Sequence, residues 1–251
     1  MPSQRQSKPL RRANPALFAG IAAIIGLSAC GSAPAPEGIS DPYEKQNRGI
    51  HALNVAIDRA VVRPVATGVA RTLPTPVELG ITNFTANLEI PGTVVNDLLQ
   101  LKIGMAVQNT LRFAINSTIG IGGVLDPASP MGAPGKVSDF GETLHVWGVA
   151  EGAYIELPFF GPSTQRDALG KVVDYALDPL PLFIPKPAHL GLMAKLVAKI
   201  SDRGRYSETI DSILYDSADG YAQARLLYLE HRRFNLGQIP SDATFEDPYA
   251  K

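Results

Sequence analysis

Residues 83–123 read NFTANLEIPGTVVNDLLQLKIGMAVQNTLRFAINSTIGIGG, and this stretch decides the fold class. Val94, Val95, Leu98, Leu99 and Leu101 recur at helical spacing, and Val107, Leu111, Ala114 and Ile115 form a second helical face. Gly104 separates the two, and the second helix is expected to end near Gly120. In a water-soluble protein such stripes pack into a core.

Outward from this pair the pattern stays helical. Asp41-Pro42-Tyr43-Glu44 has a capping residue, a proline suited to the first turn and an acid three residues after the cap. Ile50, Leu53, Ile57, Ala60 and Val61 continue that helix to about Val62. Pro64, Pro74 and Pro76 are expected to break the next segment into short pieces. Tyr154–Phe160 reads as a short strand or an extended loop. Ser163 or Thr164 caps an amphipathic helix carrying Leu169, Val172, Val173, Ala176 and Leu177, which Asp178-Pro179 ends. Residues 178–187 are apolar with four prolines, either a buried loop or a segment dipping into lipid. Further helices follow at Leu190–Ile200, at Ile210–Leu214 and at Asp219–Phe234, with Leu227 and Tyr228 expected inward and Gly237 as the stop. The sequence thus predicts an all-α fold of short, proline-broken amphipathic helices.

The N-terminus bears on location. Arg5, Lys8, Arg11 and Arg12 precede an apolar run, Pro15–Leu27, too short to span a bilayer comfortably. This is the secretory pattern. Leu27-Ser28-Ala29-Cys30 resembles the lipobox of bacterial lipoproteins, in which the cysteine is acylated and cleavage precedes it; a plain signal peptide is the alternative. Cys30 is the only cysteine, so no disulfide forms within the chain. Several acyl chains, each worth ~0.8 kcal/mol per buried CH2, make a durable anchor. Gly31 after the cysteine, rather than aspartate, favours the outer membrane. The expected organisation is a signal peptide over 1–29, lipidated Cys30 and a flexible tether over 30–40, a helical domain over 41–237 and a loose tail over 238–251.

Composition narrows the function. The chain carries 23 Lys+Arg against 24 Asp+Glu. Loss of the basic leader makes the mature chain net acidic, which does not suit nucleic acid. His51, His145, His189 and His231 form no metal-ligand spacing. Gly161-Pro162-Ser163 lacks the pattern of a nucleophile elbow, and Gly120-Ile121-Gly122-Gly123 lacks the context of a phosphate loop. Neither a metal, a cofactor nor a catalytic group is expected.

Several blocks, in order, carry a resemblance. They are Asp41-Pro42-Tyr43-Glu44 with Asn47-Arg48; Val62-Arg63-Pro64-Val65-Ala66; Asn83-Phe84-Thr85 with Asn87-Leu88-Glu89 and Pro91; Arg112-Phe113 with Asn116, Gly120, Gly122, Gly123 and Asp126; Phe140-Gly141 with Thr143-Leu144; Leu157-Pro158-Phe159 with Gly161-Pro162; Arg166-Asp167; Tyr221 with Arg225; and Tyr228 with His231-Arg232. Together, over roughly residues 40 to 235, they resemble the MlaA (VacJ) family of outer-membrane lipoproteins. The resemblance implies a ring of helices in the periplasmic leaflet around a central amphipathic channel. Phospholipids strayed to the outer leaflet would pass through it to a periplasmic lipid-carrier protein. It also implies association with outer-membrane porin trimers and no hydrolytic activity. A porin-associated structural lipoprotein without channel activity is the alternative.

Such a ring would reverse the usual disposition of the stripes, with apolar faces outward. Asn47, Asn116 and Arg112 are then candidates to line the channel, though each also suits capping, backbone bonding or, for Arg112, a buried ion pair. Gly120, Gly122 and Gly123 are candidate hinge positions beside it. The stretch after Arg48, Gly49-Ile50-His51-Ala52-Leu53, is less aromatic than in many members.

Overall fold

The computed structural model describes residues 32–34, 36, 38–177 and 188–238. The expected signal segment with Cys30, the proline-rich 178–187 and the tail beyond 238 lie outside the described residues.

The chain is mostly helical. Helix α1 (Glu44–Ile57) runs through a π-helical turn (Asp58–Val62) into α2 (Arg63–Thr72). Pro64 sits in the first turn of α2, where its missing N–H does not stop the helix. Leu73-Pro74 ends it. Helix α3 (Thr75–Leu99) follows, then α4 (Ile103–Thr118), α5 (Phe140–Val146), a hairpin of β1 (Tyr154–Leu157) and β2 (Gly161–Thr164), α6 (Gln165–Leu177), α7 (Ala188–Arg205), α8 (Ser207–Asp211), a second π-helical turn (Ser212–Asp216) and α9 (Gly220–Asn235). The hairpin is antiparallel, pairing Tyr154 with Thr164 and Leu157 with Gly161.

Two expectations change here. The segment after α1 breaks at Pro74 but not at Pro64 or Pro76, which sit in the first turns of α2 and α3, and α3 is one helix of 25 residues that continues through Pro91. Interior proline removes one hydrogen bond and bends a helix without always breaking it. The break before α4 comes at Leu101, in a left-handed conformation with φ 58°, not at Gly104. The fold class holds, with the small hairpin added.

Close helix contacts rest on glycines. On α6, a Cβ at Gly170 would lie 2.4 Å from the Gly141 nitrogen of α5. On α7, a Cβ at Gly204 would lie 2.5 Å from the Ala66 carbonyl of α2. Neither contact tolerates a side chain. Helix α6 is capped by Thr164, whose Oγ1 accepts from Asp167 N at 3.2 Å. Ser163 instead receives the Lys171 amine at 3.2 Å. Helix α9 is capped by Asp219, which accepts from Ala222 N at 3.0 Å.

The expected tether is tied down in part. Ala33 is buried, and its N–H donates to the His145 carbonyl at 3.0 Å. Gln238 donates to the carbonyls of Ala33 and Pro34 at 3.2 and 3.0 Å. Arg233 donates to Gly38 O at 2.8 Å. The packed unit therefore begins before Asp41 and includes Gln238.

The interior is unusual. A small apolar cluster of Tyr154, Tyr221 and Leu229 packs between the hairpin and α9. Elsewhere, among the described residues, buried polar and charged side chains outnumber buried apolar ones. Ion pairs tie the elements instead. Arg203 joins Asp58 and Asp211 at 2.7 and 2.6 Å, linking the first π turn to α7 and α8. Arg232 joins Asp139 and Asp167 at 2.7 and 3.0 Å, linking α9 to the starts of α5 and α6. Arg233 pairs with Glu151 at 2.8 Å.

Candidate functional site: a polar path between α3 and α4

Helix α4 is inverted with respect to a water-soluble helix. Its buried face is Ala106, Asn109, Arg112 and Asn116. Its exposed face is Ile103, Val107 and Leu111, each more than half exposed, and Ile119 follows at the helix end. Leu101 and Ile121, in the turns before and after α4, are 82% and 70% exposed. Helix α3 repeats the pattern in part, burying Asn87, Thr93, Asn96 and Asp97 beside Leu88 and Ile90 while Val77, Leu79, Leu98 and Leu99 face out. In α6, Leu169 and Val172 are exposed, and so is Leu227 in α9. The stripes read as core faces are in large part the outside of the molecule. An exterior of this kind is an interaction or lipid-facing surface. Among the described residues no helix is long and apolar enough to cross a membrane.

Two adjoining cavities lie along the polar face of α3. The first, about 300 Å³, is lined by Asn83, Asn87, Asn109, Arg112, Asn116, Asp126, Ser129 and Lys136, with Ala86, Ile90 and Val137 as apolar wall. The second, about 360 Å³, is lined by Leu88, Glu89, Gly92, Asn96, Ser138, Asp139, Asp174 and Tyr175. Thr93 and Val137 border both. The walls mix polar and apolar groups, so the path suits an amphipathic ligand.

The polar wall is held rigidly. Asn116 donates to Asp126 at 2.8 Å and accepts from Ala128 N at 3.1 Å. Arg112 donates to Asp126 at 3.3 and 3.2 Å, to Ser129 at 3.0 Å and to the Ala133 carbonyl. Burial pushes the Asp126 carboxyl up, but hydrogen bonds from Ser129, Asn116 and Arg112 outweigh it and hold the group below its ordinary value. Asn109 donates to Asp97 at 2.7 Å, and burial raises that carboxyl. In the second cavity Asp174 accepts from Asn96 at 2.9 Å and from Phe140 N at 3.0 Å; burial raises it as well.

Of the three channel candidates, Arg112 and Asn116 line the first cavity. Asn47 does not line either. It joins α1 to the hairpin, donating to Asp41 at 2.9 Å and Tyr154 O at 3.1 Å and accepting from Glu156 N at 3.0 Å. Sequence reading missed Asn109 and Lys136. Asn109 was visible as the start of an i, i+3, i+7 polar stripe with Arg112 and Asn116; Lys136, in an irregular loop, left no signal.

The three candidate hinge glycines line neither cavity, though they lie next to residues of the first. Gly122 and Gly123 take φ 69° and 96°. A Cβ at Gly123 would lie 2.5 Å from Asn87, and one at Gly120 would lie 2.4 Å from the Asn116 carbonyl. Gly122 has open space around it. Among the described residues no His/Cys/Asp/Glu group could hold a metal ion.

Comparison with known proteins gives consistent matches. A family model described as MlaA lipoprotein matches residues 39–235. An Escherichia coli K12 protein named "Intermembrane phospholipid transport system lipoprotein MlaA" is 32% identical over 230 residues, 89% of either chain. An uncharacterised Rickettsia felis protein is 37% identical over 188 residues, 74% of either chain. A solved structure described as "Structural basis for maintenance of bacterial outer membrane lipid asymmetry" superposes with a TM-score of 0.68 at 31% identity, covering 78% of this chain and 99% of that one.

Proposed function

The chain belongs to the MlaA family of lipoproteins, and from that premise we propose that it moves mislocalised phospholipids out of the outer leaflet of the outer membrane. The observation that carries the reading is the inversion of α3 and α4, with leucine and valine outside and asparagine, aspartate and arginine inside. Burying so many polar groups costs stability unless they are bonded to one another or serve a ligand. An outward apolar face is stable when lipid, not water, surrounds it.

In this proposal the helices close into a ring in the periplasmic leaflet, and the two cavities belong to its channel. Headgroups travel along the carboxamides and charges while acyl chains follow the apolar side. The lipid leaves to a periplasmic carrier, and porin trimers hold the ring in place. The acyl group on Cys30 delivers the chain to the outer membrane. No bond of the lipid is made or broken, so direction is set by the gradient that the partners maintain. The glycine segment 120–123 is a hinge beside the channel and sets its opening.

A strain lacking the protein tests this. The channel predicts more phospholipid at the cell surface and greater detergent sensitivity, both restored by the wild type and poorly by Cys30→Ala. Unchanged surface lipid would sink it and leave the structural, porin-associated role. Release of fatty acid or lysolipid by the purified protein would point to an enzyme instead.

A further inference from the structure

We propose that the first cavity is an anion subsite that holds a phosphodiester group between the Arg112 Nε–H and the Lys136 amine. The inference rests on the transport reading and deepens it, by naming where the headgroup is gripped. Arg112 is 7% exposed, and its two terminal nitrogens are taken by Asp126, Ser129 and the Ala133 carbonyl. Its Nε is buried with no hydrogen-bond partner. Buried donors are nearly always paired, so an orphan on a residue that lines a cavity marks a place where a ligand supplies the acceptor.

The neighbouring backbone packs closely on the guanidinium. A Cβ at Gly135 would lie 3.1 Å from Arg112 Cζ and 3.3 Å from its Nε. Glycine there keeps a side chain from lying between the backbone and the guanidinium, and Gly135 itself lines the cavity. Any larger residue would lie on the guanidinium.

Charge and shape select the ligand. Asp126 offsets the charge of Arg112, so exposed Lys136 supplies the net positive charge of the cavity. The terminal nitrogens of Arg112 are already spent on Asp126, Ser129 and the Ala133 carbonyl, which leaves one N–H and one mobile ammonium. That set suits a singly charged anion, and a phosphodiester is the one the transport reading supplies. Asn87 is 3% exposed, and its Oδ1 also has no partner. It can accept from a headgroup hydroxyl or ammonium. Ala86, Ile90 and Val137 offer apolar wall that inorganic phosphate would not use.

The experiment uses the full-length acylated protein in nonionic detergent. Binding of short-chain phosphatidylethanolamine, phosphatidylglycerol and diacylglycerol is measured by native mass spectrometry, with inorganic phosphate as competitor. Both phospholipids should bind about tenfold or more tighter than diacylglycerol, the size expected of a charge-assisted contact. Lys136→Glu should remove most of that difference, Lys136→Arg should keep it, and neither should change the melting temperature, since Lys136 is exposed. Equal binding of diacylglycerol, or phospholipid binding untouched by Lys136→Glu, overturns the inference while leaving the channel standing. Displacement of lipid by micromolar inorganic phosphate overturns the lipid source of the anion. A wild-type protein that retains no lipid of any kind overturns the transport reading itself.

Discussion

Asn87 is fixed from two sides, and that makes the glycine segment more than a flexible turn. Its Nδ2 donates to Ser117 at 3.0 Å, and Gly123 lies against its side chain. The three glycines therefore differ in what they tolerate. Gly122→Ala meets no atoms but sits at positive φ, so it should cost about 1 kcal/mol. Gly123→Ala has the same backbone penalty and also displaces Asn87, and Gly120→Ala strikes backbone carbonyls. Urea unfolding should rank Gly122→Ala as the mildest of the three. Surface-lipid measurements should find Gly123→Ala defective where Gly122→Ala is close to normal. Equal defects would mean that backbone freedom, not the position of Asn87, is what the segment provides.

Charge at the residue scale also predicts a response to pH. Hydrogen bonding from Arg48 lowers the Asp219 carboxyl from 3.8 to about 2 in the folded protein. Burial pushes Asp41 up, but Tyr221, Arg225 and Asn47 outweigh it and hold that group low as well. A depressed carboxyl stabilises the fold at any pH above its unfolded value. The contribution disappears as pH falls through the folded value. The melting temperature should thus fall on acidification below about pH 4, and Asp219→Asn should lose less between 4 and 2 than the wild type. Identical acid limbs would show that the Arg48 contact does not persist in solution.

At the scale of elements, the hairpin shows how one side chain sets a turn. Asn54 of α1 donates to Leu157 O at 3.0 Å and accepts from Phe159 N at 2.8 Å. Phe159, at φ 66°, is a non-glycine residue in the left-handed region, which costs energy that the Asn54 bonds help offset. Asn54→Ala should cost about 1–2 kcal/mol, with faster amide exchange confined to the hairpin. Uniform exchange across the chain would refute so local a role. None of this was legible in the sequence, where Asn54 was one asparagine among many. The helices were legible because apolar spacing is local. Which face pointed inward was not, since periodicity fixes that two faces differ and not which solvent each meets. The continuity of α3 through Pro91 was hidden for a related reason: packing against α4, invisible locally, outweighs one lost hydrogen bond.

For the whole molecule, the outward apolar surface and the proposed lipid at Cys30 would be two separate attachments. Moving an exposed leucine or valine side chain from water to hydrocarbon gains roughly 1.5–3 kcal/mol, so a few such residues rival an acyl chain. Val107 and Leu111 stand on the exposed face of α4, one turn apart, each more than half exposed. A Cys30→Ala protein should accordingly still float with liposomes. Adding Val107→Asp and Leu111→Asp to it should release it to the soluble fraction, with the melting temperature in detergent lowered by only a few degrees. The acylated form carrying the same two aspartates should remain bound yet fail to restore surface-lipid asymmetry, because the ring would be tethered without being seated in the leaflet. Release of the Cys30→Ala protein before the aspartates are added would assign the attachment to the lipid alone, and the inverted helices would then have to face a protein partner.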